Sequence, residues 1–72
     1  MSRHELVQRL RAFRIMMERE ARAHALDVNA SLALVLFDLA AWLGLSEGEQ
    51  LAVLGTDNAL RLHEDYGIEF EI

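Results

Sequence analysis

Three histidines and twelve carboxylates are the side chains of this 72-residue chain that could hold a metal ion. Glu20 and His24 are four positions apart, so on a helix they would lie one turn apart on the same face. A carboxylate and a histidine at this spacing provide half of a typical metal site. Because His4 and His63 have no such partner, we predict no metal and no cofactor, and interpret the histidines as capping or interfacial groups. A small metal-binding helical protein is our third hypothesis.

One further carboxylate, Asp38, interrupts the most apolar segment of the chain. A charge placed there needs a partner, because burying an unpaired charge is costly. An active-site acid would be accompanied by a nucleophile, a glycine-rich phosphate loop or a second spaced carboxylate, and the sequence offers none of these. We therefore interpret Asp38 as a rim residue or as the partner of Arg9 or Arg61, and predict a protein that is not an enzyme.

All seven basic residues are arginine, and six of them lie within the first 22 positions. Six arginines against three glutamates give this segment a charge of +3, whereas one arginine against nine carboxylates gives the other 50 residues −8. Arg11, Arg14, Arg19 and Arg22 could follow a phosphate backbone. Since the net charge of −5 repels nucleic acid, we favour arginines paired with the acidic part of the same or a neighbouring chain.

The composition indicates association with a partner. A chain of 72 residues buries a small core, and without cysteine it has no disulfide to stabilise it. Its 53% apolar content exceeds what a monomeric core of this size can hide. We therefore predict a homodimer, with a protein partner as an open alternative and nucleic acid less favoured.

Capping residues and glycines define the predicted elements. Ser2 with Glu5 and Ser46 with Glu49 are capping boxes, which start helices, and glycines end them. The chain is then a single all-α domain over residues 1–72, a compact bundle of three to four helices. The predicted helices cover about 3–26, 30–43, 47–54 and 57–66, and a strand-like tail covers 68–72.

The second predicted helix, 30–43, is apolar on nearly every side, so we expect it to be buried at the centre of the fold. The tail instead alternates apolar and acidic residues, which is typical of a strand. It either pairs with the same tail of a second copy or packs on the helices. We predict that the chain associates through the apolar stripe of the first helix and through the tail. The predicted interface residues are Leu6, Leu10, Phe13, Met17, Ile68, Phe70 and Ile72.

The stretch from Val35 to Gly55 reads VLFDLAAWLGLSEGEQLAVLG. It resembles the opening of the phage-repressor and antitoxin (Xre-like) helix-turn-helix domains, in which an apolar helix ends in Leu-Gly-Leu-Ser and a short helix ends in Leu-Gly. The resemblance covers about 20 residues and rests on capping and packing positions. It implies that residues 56–66 form a recognition helix, with Asn58 and Arg61 facing base edges.

The first residues lack the apolar run of a signal peptide, and the longest apolar stretch is too short to span a bilayer, so we expect a cytoplasmic protein away from membranes. Our leading hypothesis is a small regulatory or interaction protein that acts through protein–protein association. The alternative is a helix-turn-helix transcriptional regulator. Its nucleic-acid contacts would be Asn58, Arg61, Arg11, Arg19 and Arg22.

Overall fold

The computed structural model of the chain describes residues 1–70, and these residues form an all-α bundle, as predicted. The four helices are α1 (Arg3–Ala23), α2 (Asn29–Trp42), α3 (Glu47–Leu54) and α4 (Thr56–Tyr66). Both α2 and α3 pack against all three of the other helices. The bundle is therefore built around α2 and α3, with α1 and α4 on their flanks.

The core is a cluster of small and branched apolar side chains contributed by α2, α3, α4 and the segment between α2 and α3. Its members are Ala33, Leu36, Ala40, Leu45, Val53, Leu54 and Leu62. The four largest fully buried side chains among the described residues are three leucines and a valine. A core of this size is small, which agrees with the expectation for so short a chain.

The start of α3 follows the sequence prediction closely. The Ser46 hydroxyl accepts a hydrogen bond from the Glu49 N–H at 3.3 Å, and the Glu49 carboxylate accepts one from the Ser46 N–H at 2.8 Å. At the start of α1 the Ser2 hydroxyl accepts from the Glu5 N–H at 3.1 Å. These bonds satisfy amide groups that the first turn of a helix leaves free.

The end of α1 differs from the prediction, since the helix stops at Ala23 and not near position 26. Ala25 has a φ of 54°, the left-handed conformation that usually belongs to glycine. The Leu26 N–H then donates to the Ala21 carbonyl at 2.8 Å. This bond closes a Schellman motif and turns the chain toward α2.

The described part of the tail packs on the helices and forms no strand. Ile68 and Phe70 both lie against the core cluster. The Phe70 ring meets the Phe37 ring edge to face, with 5.6 Å between centroids and 81° between planes. The His63 Nδ1–H also donates to the Ile68 carbonyl at 3.1 Å. Ile72 lies outside the described residues, so its predicted role stays a prediction.

Candidate interaction surface and arginine cavity

The outer face of α2 is a row of apolar residues at alternating spacings of four and three. Its members, here called the α2 outer face, are Val28, Leu32, Val35, Leu39 and Trp42. Spacings of four and three place side chains along one seam of a helix, which is the pattern by which two helices pair. The opposite side of α2 buries Ala33, Leu36 and Ala40 in the core.

This face is open, which corrects the expectation that the second helix is buried throughout. Trp42 is 83% exposed and Val35 is 63% exposed, Val28 and Leu39 are 39% and 37% exposed, and Leu32 is half-buried against the core cluster. The reason is geometric, because α1, α3 and α4 cover only one side of α2. A helix that is apolar all around therefore keeps one apolar side in contact with solvent.

The size of the exposed face exceeds what scattered surface residues produce. From their exposed fractions, Val28, Val35, Leu39 and Trp42 present on the order of 450 Å² of surface, within the range of the largest apolar patch on a monomer. Asp38 is the one charged residue of α2, and it is exposed. Within residues 1–70 it forms no ion pair, so the rim interpretation of Asp38 holds.

The residues predicted as the interface are distributed between the core and the surface. Leu6 and Leu10 pack against the core cluster, whereas Phe13 is 44% exposed and Met17 is also exposed. The side of α1 that faces the other helices is therefore rotated about the helix axis relative to the predicted stripe. The largely buried positions in its second half are taken by a charged pair.

That pair is Arg14 and Glu18, and it joins α1 to the start of α4. The Arg14 Nη1–H donates to the Glu18 carboxylate at 3.0 Å, and the two side chains are only 14% and 15% exposed. The Asn58 amide donates to the other Glu18 oxygen at 3.1 Å and to the Leu54 carbonyl at 2.8 Å. Asn58 is buried, at 6% exposure. The network thus satisfies a carboxylate that would otherwise be costly to bury.

An open cavity of about 410 Å³ lies beside this network, at the start of α4. It contains three arginines, Arg14, Arg22 and Arg61, together with Asn58. The structure therefore brings together four of the residues that we predicted as possible nucleic-acid contacts. The other two predicted contacts, Arg11 and Arg19, line shallow depressions elsewhere on α1.

A second cross-link between helices involves Arg3 and Glu49. The Arg3 guanidinium forms an ion pair with the Glu49 carboxylate and donates to the Gly44 carbonyl at 3.1 Å. The hydrogen bond from Arg3, followed by that from the Ser46 N–H, lowers the pKa of Glu49 from 4.5 to about 2. This contact ties the beginning of α1 to the beginning of α3.

The histidines lie apart from one another, each with a local partner. His4 is bonded to Gln8 at 3.1 Å, and His24 lies 3.6 Å from the Glu20 carboxylate, as their spacing suggested. The His63 Nδ1–H donates a hydrogen bond to the Ile68 carbonyl of the tail. Within residues 1–70 no three histidines or carboxylates come together in a group that could hold a metal ion.

Comparison with models of protein families, with curated proteins and with solved structures finds no match for this chain. Among residues 1–70, none of the helices is both long enough and apolar enough to cross a membrane.

The α2 outer face is a functional candidate that was not predicted from the sequence. Its signal was present as the four-three spacing from Val28 to Trp42. It was obscured because the other sides of the helix are apolar too. No signal in the sequence indicated that Arg14, rather than Phe13, would face the interior.

Proposed function

We propose that this protein is a non-enzymatic interaction protein that acts as a homodimer joined through the α2 outer face. The observation that carries the proposal is the exposure of Trp42 and Val35 within an uninterrupted apolar seam. Large apolar patches on small proteins mark sites of association. Tryptophan is also the residue most enriched among the strongest contributors to protein interfaces.

A second copy of the chain is the binding partner that fits this surface. An apolar seam without opposing charges is complementary to itself, as a two-fold interface requires. Two copies of the face would bury about 900 Å², close to the roughly 1,000 Å² expected of a specific interface. The core within one copy is small, so pairing also supplies the apolar burial that a single chain lacks.

The absence of charge along the seam has a consequence for the salt dependence of pairing. Asp38 lies at the margin of the seam and is the only ionisable residue of α2. An interface held together by apolar contacts is not weakened by screening, whereas one held by arginines and carboxylates is. We therefore expect the pair to persist at high salt.

The helix-turn-helix alternative has less support. Gly55 alone separates α3 from α4, whereas helix-turn-helix motifs use a turn of about three to four residues. The Asn58 amide is engaged by Glu18 and Leu54 inside the fold, so it is not available to a base edge. The surface of α4 also carries Asp57, which would repel a phosphate backbone.

The proposal is tested on the native chain by its mass and by the emission of its single tryptophan. One chain has a mass of 8.2 kDa, and light scattering should give twice that mass at both low and high salt. Dilution below the dissociation constant should shift the emission of Trp42 to longer wavelength, because the indole passes from a buried interface into water. A single-chain mass at every concentration, with an emission that does not change, would contradict the proposal.

A further inference from the structure

The cavity at the start of α4 has the chemistry of an anion site. We propose that it binds a phosphate group through Arg14, Arg22 and Arg61. The three arginines line one open cavity of about 410 Å³, although they come from positions far apart in the sequence. Arginine binds phosphate with two parallel hydrogen bonds, which gives such a cluster both affinity and geometric selectivity.

Arg14 forms the inner wall of the cavity. Its guanidinium lies 3.3 Å from the point where a Cβ of residue 55 would be, so the glycine at that position leaves the space that it occupies. One of its terminal nitrogens is bonded to Glu18, and its buried Nε–H has no partner. The buried Nε–H is out of reach of a ligand, but the fold holds the arginine in place and its second terminal nitrogen forms no hydrogen bond within residues 1–70.

Arg22 and Arg61 supply positive charge that the described residues do not neutralise. Neither guanidinium has a carboxylate within ion-pair distance in residues 1–70. Three arginines against Glu18 and Asp57 leave the cavity wall with a charge of +1. Both oxygens of Glu18 already accept hydrogen bonds, so Asp57 is the carboxylate that opposes an incoming anion.

The first turn of α4 adds further donors to the same cavity. No side chain caps this turn, because the residue before it is Gly55. The free N–H groups of a helix start favour an anion. Thr56 lines the same cavity. These groups supplement the arginines as hydrogen-bond donors.

The phosphate could belong to a small phosphorylated molecule or to the backbone of a nucleic acid. A cavity of about 410 Å³ is within the range of small-ligand sites, roughly 300–1,000 Å³. Titrations with inorganic phosphate, with pyrophosphate and with a short DNA duplex separate the two sources. The titrations are performed at constant ionic strength, so that screening does not imitate binding.

Three arginine substitutions and one at a carboxylate make the test specific. Arg22→Gln and Arg61→Gln should each weaken binding of inorganic phosphate and pyrophosphate by about tenfold or more, because each removes a charge-assisted contact. Arg19→Gln removes the same charge from the outer side of α1 and should leave the affinity unchanged. Asp57→Asn should strengthen binding, since it removes the opposing charge. Circular dichroism of each variant checks that the fold is retained.

Calorimetry distinguishes the outcomes. Phosphate or pyrophosphate binding that follows this pattern supports the site and indicates a small phosphorylated ligand. Duplex binding that is lost in Arg22→Gln and Arg61→Gln but kept in Arg19→Gln supports the site with nucleic acid as the source of the phosphate. Absence of binding in all three titrations, or an equal loss in Arg19→Gln, would overturn the proposal.

Discussion

Trp42→Glu should convert the homodimer into a monomer at concentrations where the native chain is fully paired. The indole is 83% exposed in one copy, so the substitution removes little from the fold of that copy. In the pair, the glutamate would place an unpaired charge in an apolar contact, which is strongly unfavourable. Truncation of such a tryptophan alone commonly costs about 2 kcal/mol or more, which is roughly thirtyfold in the dissociation constant. Sedimentation equilibrium would measure the change.

Tyr66→Glu is the matched control for this experiment. Tyr66 is an aromatic residue that is 49% exposed, and it lies at the end of α4 and not on the α2 outer face. We expect this variant to remain a dimer with nearly native affinity. If Trp42→Glu remained paired as tightly as the native chain, or if Tyr66→Glu dissociated to the same degree, the interface would have to lie elsewhere.

Glu18→Ala should be among the most destabilising substitutions of a charged residue in this chain. Its carboxylate accepts hydrogen bonds from Arg14 and from Asn58, and it is 85% buried. Removing one partner of a buried pair leaves the other charge without compensation. We expect a loss of about 2–4 kcal/mol in the free energy of unfolding. Urea denaturation at a fixed protein concentration would measure it, since pairing makes stability depend on concentration.

Two companion variants separate the buried contact from general effects of charge on α1. Glu20→Ala removes a carboxylate that is 66% exposed and beside His24, so it should change stability by less than about 0.5 kcal/mol. Glu18→Gln keeps the shape and one acceptor, and should cost less than Glu18→Ala. Equal effects of Glu18→Ala and Glu20→Ala would show that the network does not contribute as described.

Local signals in the sequence predicted the helices well. The residues of α3 were predicted without error, because Ser46, Glu49 and Gly55 form a complete set of start and stop signals. The end of α1 was misplaced by three residues. Its stop depends on the left-handed conformation of Ala25, and alanine gives no indication of that conformation in a sequence.

The orientation of α1 could not be predicted from its pattern of apolar residues. That pattern grouped Phe13 and Met17 with Leu6 and Leu10 in one interface stripe, whereas in the structure Leu6 and Leu10 pack on the core and Arg14 and Glu18 are turned inward. A charged pair is stable there only because Asn58, forty residues from Glu18, completes its hydrogen bonds. Helical periodicity relates residues only a few positions apart, so it cannot indicate a partner that is so distant in the sequence.

The open side of α2 shows a similar limit. The apolar character of α2 was evident, but which side stays exposed depends on how many helices surround it. The tail adds to the covering of one side, since Phe70 packs on Phe37. The sequence could indicate that apolar surface was in excess, and the packing of the other elements decided where that excess lies.

Disulfide cross-linking of a single introduced cysteine tests most directly whether α2 joins two copies. The chain has no cysteine of its own. Val35 is at the middle of the α2 outer face, so in a two-fold pair centred there Val35→Cys should lie within the roughly 7 Å between Cα atoms that a disulfide needs. Ala52→Cys, on the exposed side of α3, is the control. We expect Val35→Cys to form a covalent dimer rapidly under mild oxidation and Ala52→Cys to form little. Equal and slow cross-linking of the two variants would contradict it.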